Sequence, residues 1–343
     1  MKVAFISRTT LYSGPGGDTV QMERTAAELR KLGVEVNIRL ANERFNYGDY
    51  DLLHLFNVIR PADLLRHARA STVPYMLSTI LVDYSEYDRS YRGPLTRTAI
   101  RVLGKDAIEF GKAGARWLRN GEALQSPSYL LRGHRKSIRY LAERAACLLP
   151  NSHSEYQRLF RDYGIEKPYR VIPNAIDPAL FHATDAPPAS GREGVLCVGR
   201  IEGYKNQLNL IRAVRDTPFA LTVVGRAAPN HQHYARQCRA EAGNNVAFIE
   251  HLPQKELAAL YRSHRVHALP SWFETTGLSS LEAAASGCQL VITNRGDQRE
   301  YFRDDVHYCE PGDPASIRAA IEQAWHAPDS SALRDRVNST CTW

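Results

Sequence analysis

The feature that most constrains this chain is a strand–helix alternation that runs twice, with a polar break between the two runs. In the first run KVAFIS (2–7), VEVNIRL (34–40), DLLHLFN (51–57), VPYMLST (73–79) and ACLLPNS (146–152, strand then cap) are apolar runs of strand length, separated by amphipathic stretches. Residues 18–32 set Val20, Ala26, Leu29 and Leu32 at helical spacing behind Asp18 as N-cap, and 153–163 reads as a further helix. PYRVIPNAIDPALF (168–181) is a proline-punctuated crossing and TDAPPASGRE (184–193) a turn-rich linker. The alternation then resumes with VLCVGR (195–200), FALTVVG (219–225), VAFIE (246–250), VHALPS (266–271) and QLVIT (289–293). Strands that alternate with helices form parallel sheets wound by crossovers. The expected fold is therefore α/β: two Rossmann-like, doubly wound parallel-sheet domains over 1–175 and 176–343, facing across a cleft, with the last helix returning to the first domain. A length of 343 residues suits about two domains. Open sheets of this kind bind ligands at the carboxyl ends of their strands, so the loops there are where chemistry is to be sought.

Charge is unevenly placed. Residues 85–145 hold 13 of the 44 Lys and Arg and 6 of the 37 acids, which leaves 31 of each sign elsewhere, so the whole +7 excess lies in one segment. Two helix-like pieces near 95–118 and 128–145 carry it, broken by Gly121 and the Ser126-Pro127-Ser128 turn. Two readings stay open for it: a docking surface for an anionic membrane or a lipid-diphosphate-linked acceptor, or a pair of solvated amphipathic helices. No nucleic-acid-binding module is recognisable. No apolar run approaches the ~20 residues that cross a bilayer, and MKVAFIS passes straight into a strand rather than reading as a signal peptide. Six scattered cysteines without a CxxC pair read as free thiols of a reducing compartment. A cytoplasmic protein, peripheral on the inner face of the membrane if the basic segment docks there, is expected.

The sharpest motif is SWFETTGLSSLEAAASG (271–287). Glu274 falls in the loop after a strand and Glu282 two turns into a helix. Between them the amides of Thr276, Gly277 and Leu278 are expected to stand exposed at the helix N-terminus, a site suited to phosphate. A carboxylate further down the helix can accept two hydrogen bonds from a vicinal diol such as ribose. The bland alternative is a capping acid plus a solvated glutamate. In VGRIEGYKNQLNLIRAV (198–214) a strand ends at Gly199-Arg200 and Lys205 follows five residues on. A planar guanidinium fork and a compact ammonium can together neutralise a leaving diphosphate without a metal.

These residues resemble family 4 of the retaining glycosyltransferases. Its signature is an acid, seven residues, an acid, then a small-residue helix ending in Gly before a strand; here Glu274, Glu282, Ala283 to Gly287, then QLVIT. The resemblance implies the GT-B fold and a metal-independent, retaining transferase (EC 2.4). Such an enzyme moves a sugar from a nucleoside diphosphate-sugar (UDP, GDP or ADP) to a saccharide or lipid-linked acceptor, in cell-surface polysaccharide or glycoconjugate synthesis, and needs no cofactor. It implies that Glu282 binds the donor ribose, that Glu274 contacts the transferred sugar, and that Arg200 and Lys205 hold the diphosphate. The family's usual Gly after that lysine is Asn206 here, and Ala175 stands where its interdomain turn carries Gly. By the same likeness the loops at Arg226, His251 and Leu252 would meet the nucleotide base. Gly16 and Gly17 in SGPGGDT would face phosphates and acceptor. The family's His-Asp pair after the fourth strand is replaced by Ile80-Leu81-Val82-Asp83-Tyr84, in which Asp83 is a candidate acceptor base or a turn cap. The likeness is specific mainly over 195–293.

Asp49-Tyr50-Asp51 is formally a DxD metal signature, but it precedes a strand instead of following one and reads as a turn. His231 and His233 lack a nearby third ligand and read as solvent-facing. No GxSxG, HExxH or GxxxxGK[ST] pattern occurs, which argues against hydrolase, zincin and NTPase classes. Two rivals remain open: a sugar-nucleotide 2-epimerase of the same architecture, and a non-catalytic nucleotide-sugar-binding protein.

Overall fold

A computed structural model describes residues 1–91, 106–114, 126–183, 191–328 and 331–343. Packing divides the chain into two units, Met1–Pro173 and Asn174–Trp343.

In the first unit, strands β1 (Lys2–Ser7), β2 (Glu35–Leu40), β3 (Leu52–Phe56), β4 (Tyr75–Ser78) and β5 (Cys147–Leu149) form one sheet in the order β2-β1-β3-β4-β5. Every pairing is parallel. The order reverses between β1 and β3, so the loops after those two strands flank the switch point where such sheets admit ligands. β3 is buried at four of its five positions, as expected of a parallel strand covered on both faces. His54 lies in that core, with Nε2 2.8 Å from Ser78 Oγ and its ring stacked on Phe56. Burial drives its pKa down to about 3.

Helix 17–31 departs from expectation at both ends. It spans Gly17–Lys31 with Gly16 as N-cap, not Asp18. The Gly16 amide donates to Thr19 Oγ1 at 3.2 Å, and Asp18 sits in the first turn, paired with Arg8 at 2.8 Å. A carboxylate there still complements the helix dipole. Ala26 is buried, whereas Leu32 lies past the last turn and is exposed. The helix 153–163 is capped as its sequence suggests: Ser152 Oγ accepts the Glu155 amide, and Gly164 closes the other end in the left-handed region. Of the basic segment, 106–114 is helical and Ser128–Arg144 is a helix broken at Gly133. The remainder of the expected 95–118 helix, and Gly121, lie outside the described residues.

In the second unit, β6 (Val195–Val198), β7 (Leu221–Val224), β8 (Val246–Ile249), β9 (Val266–Leu269), β10 (Gln289–Thr293) and β11 (His307–Cys309) form a sheet in the order β11-β10-β9-β6-β7-β8. All its pairings are parallel too. This is the doubly wound dinucleotide-type order, and it reverses between β6 and β9. The last helix, Ala332–Thr340, packs in this unit beside the helix Leu278–Ala285, and its Leu333 and Val337 join the core. The C-terminus adds a parallel bridge between Ile176 and Thr342. All six cysteines are free thiols and five are buried; burial raises Cys197, Cys288 and Cys309 to about 12. Among the described residues no helix is long and apolar enough to cross a membrane.

Candidate active site

The loops that leave β6 and β9 flank the switch point of the second sheet, and both charged motifs sit on them. After β6 the chain runs through Arg200 into a single turn at Gly203–Lys205. After β9 it runs through Trp272, whose amide donates to the Tyr204 carbonyl at 2.8 Å. That bond ties the two loops together and brings Lys205 Nζ within 2.5 Å of Glu274 Oε1. Both side chains are largely withdrawn from solvent, with relative exposures of 19% and 10%. An ammonium has three donors, so one serving Glu274 leaves Lys205 the means to meet an anion as well.

Asn206, the departure from the family pattern, fits because the chain turns through the left-handed region there (φ 64°). Asparagine tolerates that region almost as glycine does. Its side chain also donates to the carbonyls of Pro270 (3.0 Å) and Pro311 (2.6 Å). Gln207, fully buried, donates to the Arg200 carbonyl at 2.9 Å. The Arg200 guanidinium lies 3.2 Å from Glu202 and 3.0 Å from the Tyr204 hydroxyl. The loops after β7 and β8 run beside it. Ile201 donates to the Arg226 carbonyl at 2.9 Å, and a Cβ on Gly225 would fall 2.0 Å from the Gly199 oxygen. Arg226 and His251 are exposed, and Leu252 is half-buried against the core.

The helix carrying the second glutamate spans Leu278–Ala285 with Gly277 (φ 74°) as N-cap. At its entry the residues are withdrawn from bulk solvent: Thr276 and Gly277 are buried and Leu278 is half-buried. Thr276 is drawn inward because its Oγ1 accepts from Asn174 Nδ2 at 3.0 Å. Glu282 accepts the Tyr261 hydroxyl at 3.1 Å. Burial, and then the nearby carboxylate, hold that phenol well above its ordinary pKa. His267 on β9 is fully buried beneath these loops, and burial lowers it to about 3.

In the first unit Gly16 and Gly17 stand at that sheet's switch point, and Arg60 from the loop after β3 reaches Thr10 Oγ1 at 3.3 Å. Asp83 Oδ1 accepts the Ser85 amide at 2.9 Å, at the start of the helix Ser85–Tyr91. The DxD acids are spent locally: Asp51 accepts the Lys2 amide (2.6 Å) and Asp49 accepts from Asn46 (2.9 Å). His231 is not simply solvent-facing, since its Nδ1 lies 3.2 Å from the Gly203 amide and steadies the Lys205 turn.

Residues 184–339 match the family described as glycosyl transferases group 1. The match lies within the second unit. Glycogen synthase of Mycobacterium tuberculosis (strain H37Rv) is 31% identical over 185 residues, which are 50% of this chain and 45% of that protein. The chain thus spans under half the length of that relative. The D-inositol 3-phosphate glycosyltransferase of Corynebacterium glutamicum (strain R) is 27% identical and covers 86% of this chain and 81% of itself. Anabaena Alr3699/HepE, solved in complex with UDP and glucose, superposes on 100% of this chain and 96% of its own with a TM-score of 0.68 at 16% identity. That likeness gives the fold of the whole chain, two parallel-sheet α/β domains of the GT-B type.

Several residues that build the candidate site escape a reading of the sequence. Gly296 follows β10, and a Cβ there would lie 1.9 Å from the Glu274 carbonyl oxygen, so its backbone is what Glu274 rests on. Asp297 donates its amide to the same oxygen at 2.9 Å. Gln298 and Ser280 are fully buried against Gly277. A lone Gly after a strand was the one available signal; the polar contacts join segments more than twenty residues apart, which no local pattern displays.

Proposed function

We propose that this chain is a retaining glycosyltransferase using a nucleoside diphosphate-sugar donor. The observation that carries the reading is the Lys205–Glu274 pair, 2.5 Å apart at the switch point of the second sheet and beside the start of the helix bearing Glu282. Uridine is the favoured base, because the HepE structures of like fold were solved with UDP. In this reading Lys205, Arg200 and the amides of Thr276, Gly277 and Leu278 hold the diphosphate, and Glu282 takes the ribose. Glu274, steadied by Lys205, orients the sugar ring. The acceptor oxygen bonds to the anomeric carbon on the face from which the C–O bond to phosphate breaks. The departing phosphate oxygen takes the acceptor's proton. Fixed cations aimed at the developing charge lower the barrier, and no metal or cofactor is called for.

Lys205→Met tests this. It should lower kcat at least 100-fold, about 2.7 kcal/mol of transition-state stabilisation, while leaving the melting temperature within a few degrees. Wild-type turnover in that variant, or loss of the unsubstituted protein's activity on adding EDTA, would refute the assignment. A 2-epimerase would convert donor with no acceptor present, and a binding protein would turn over nothing.

A second reading concerns location. Leu131 is 90% and Leu130 51% exposed on the first turn of helix 128–144, beside exposed Arg132, Arg135 and Lys136. Apolar side chains set among cations suit the headgroup boundary of an anionic bilayer, which would place the enzyme on the inner membrane face with a lipid-linked acceptor in reach.

A further inference from the structure

Lys205 lies between two helical starts, in the single turn Gly203–Lys205 and just before the helix Gln207–Val214. The first amides of such a start have no partner within it and are met by a cap. Neither start caps itself. Glu202 and Asn206 hold the two N-cap positions, yet neither side chain accepts from the turn it precedes. Glu202 is turned to Arg200 instead, and Asn206 to the carbonyls of Pro270 and Pro311.

Both acceptors come from the segment after β7. His231 Nδ1 lies 3.2 Å from the Gly203 amide, and the Tyr234 hydroxyl accepts the Leu208 amide at 2.9 Å. A backbone N–H can only donate, so His231 is held as the neutral ring with its proton on Nε2. The same segment lies along the Lys205 loop from the loop's beginning. Ile201 bridges Ala227 in parallel, and the Ala228 amide donates to the Ile201 carbonyl at 3.3 Å. The His231 ring stands edge-on between Tyr204 and Tyr234, with centroids 6.3 and 6.5 Å away. Tyr204 in turn accepts from the Arg200 guanidinium through its hydroxyl at 3.0 Å. One segment thus stands behind both cations of the proposed diphosphate site.

We infer that His231 and Tyr234 are positioning residues of the donor site, acting not on the donor itself but through Lys205. They fix where its ammonium meets the diphosphate by capping the two backbone amides that flank it. This rests on the donor reading above and deepens it. A charge aimed at a ligand is worth most when the groups around it hold its backbone and rotamer in place. Here the holding groups are neutral acceptors, so they fasten the loop without drawing the ammonium away from an anion.

Isothermal titration calorimetry on the full chain tests this, with UDP, GDP and ADP as probes and the tightest binder carried through the variants. Tyr234→Phe removes only the hydroxyl, His231→Phe keeps a ring without an acceptor, and His231→Asn restores an acceptor at the δ1 position. Each phenylalanine variant should raise Kd at least fivefold, while His231→Asn should stay within twofold of the wild type. In a Lys205→Met background no ammonium is left to place, so neither phenylalanine change should raise Kd more than twofold further. No probe binding to the wild type, or wild-type affinity in Lys205→Met, would overturn the donor reading and this inference with it. With Lys205→Met weakened, three results count against the inference alone. They are wild-type affinity in a phenylalanine variant that keeps the wild-type melting temperature, a fivefold loss that persists in the Lys205→Met background, and His231→Asn binding no better than His231→Phe. If both phenylalanine variants melt well below the wild type, the two bonds are structural and the inference falls; if only one does, the other decides.

Discussion

At the scale of single residues, Asn206 shows how a departure from a family pattern can be physically conservative. Glycine would also adopt φ 64°, but only asparagine adds the two donations to Pro270 and Pro311 that fasten the Lys205 turn. Asn206→Ala loses both bonds and strains the backbone, so it should cost about 3 kcal/mol in urea unfolding; Asn206→Gly should cost about 1 kcal/mol less. Equal losses would show that backbone conformation plays no part. The charged residues proposed for the candidate site, Arg200, Lys205, Glu274 and Glu282, stand out in the sequence because they follow apolar runs or lie in the helix after one. Gly296, Asn174 and Gln298 are not legible, because their roles come from contacts between loops that only the fold brings together. Asp18 misleads for a local reason: an acid one turn into a helix and an N-cap acid look alike until the Gly16 amide is seen to bond Thr19.

At the scale of elements, strand positions follow from apolar runs, and among the described residues ten of the eleven strands fall on segments that alternate as read, the short β11 (His307–Cys309) being the exception. Its sequence HYC has no apolar run to show, whereas the equally short β5 lies within ACLLP. Helix 128–144 is likewise legible as amphipathic, but its break at Gly133 (φ 73°) is what leaves Leu130 and Leu131 uncovered while the residues beyond pack on the first unit's core. If that turn meets a bilayer, the quadruple change Leu131→Ser, Arg132→Ser, Arg135→Ser and Lys136→Ser should lower sedimentation with phosphatidylserine vesicles at least a hundredfold in partition. Each lost base contributes about 1 kcal/mol and the leucine adds its own burial. Unaltered sedimentation would remove the membrane from the account.

At the scale of the molecule, the two sheets share parallel winding but not strand order, β2-β1-β3-β4-β5 in one and β11-β10-β9-β6-β7-β8 in the other. Alternation along a sequence gives the winding but carries no record of the order, and hence none of which loops meet at a switch point. Both units also bury histidines. His54 and His267 fall to about 3 and His67 to about 4 because burial penalises the charged ring. These values lie below the ordinary 6.5, so on acidification the unfolded chain takes up protons before the folded one does. Stability is therefore whole above pH 6.5 and is lost as pH falls toward 4, by about 1.4 kcal/mol per histidine for each pH unit well inside that window. The urea midpoint should drop between pH 7 and 5; a flat profile there would mean that these rings stay charged or solvated.

The central claim is that cations and main-chain amides at the β6–β9 switch point receive a nucleoside diphosphate. A crystal structure of the chain with UDP tests it most directly. The diphosphate is predicted to lie within hydrogen-bond distance of Lys205 Nζ and the amides at 276–278, with the ribose on Glu282. UDP bound elsewhere on the second unit, or a diphosphate held there by a coordinated divalent ion in place of Lys205, would contradict it.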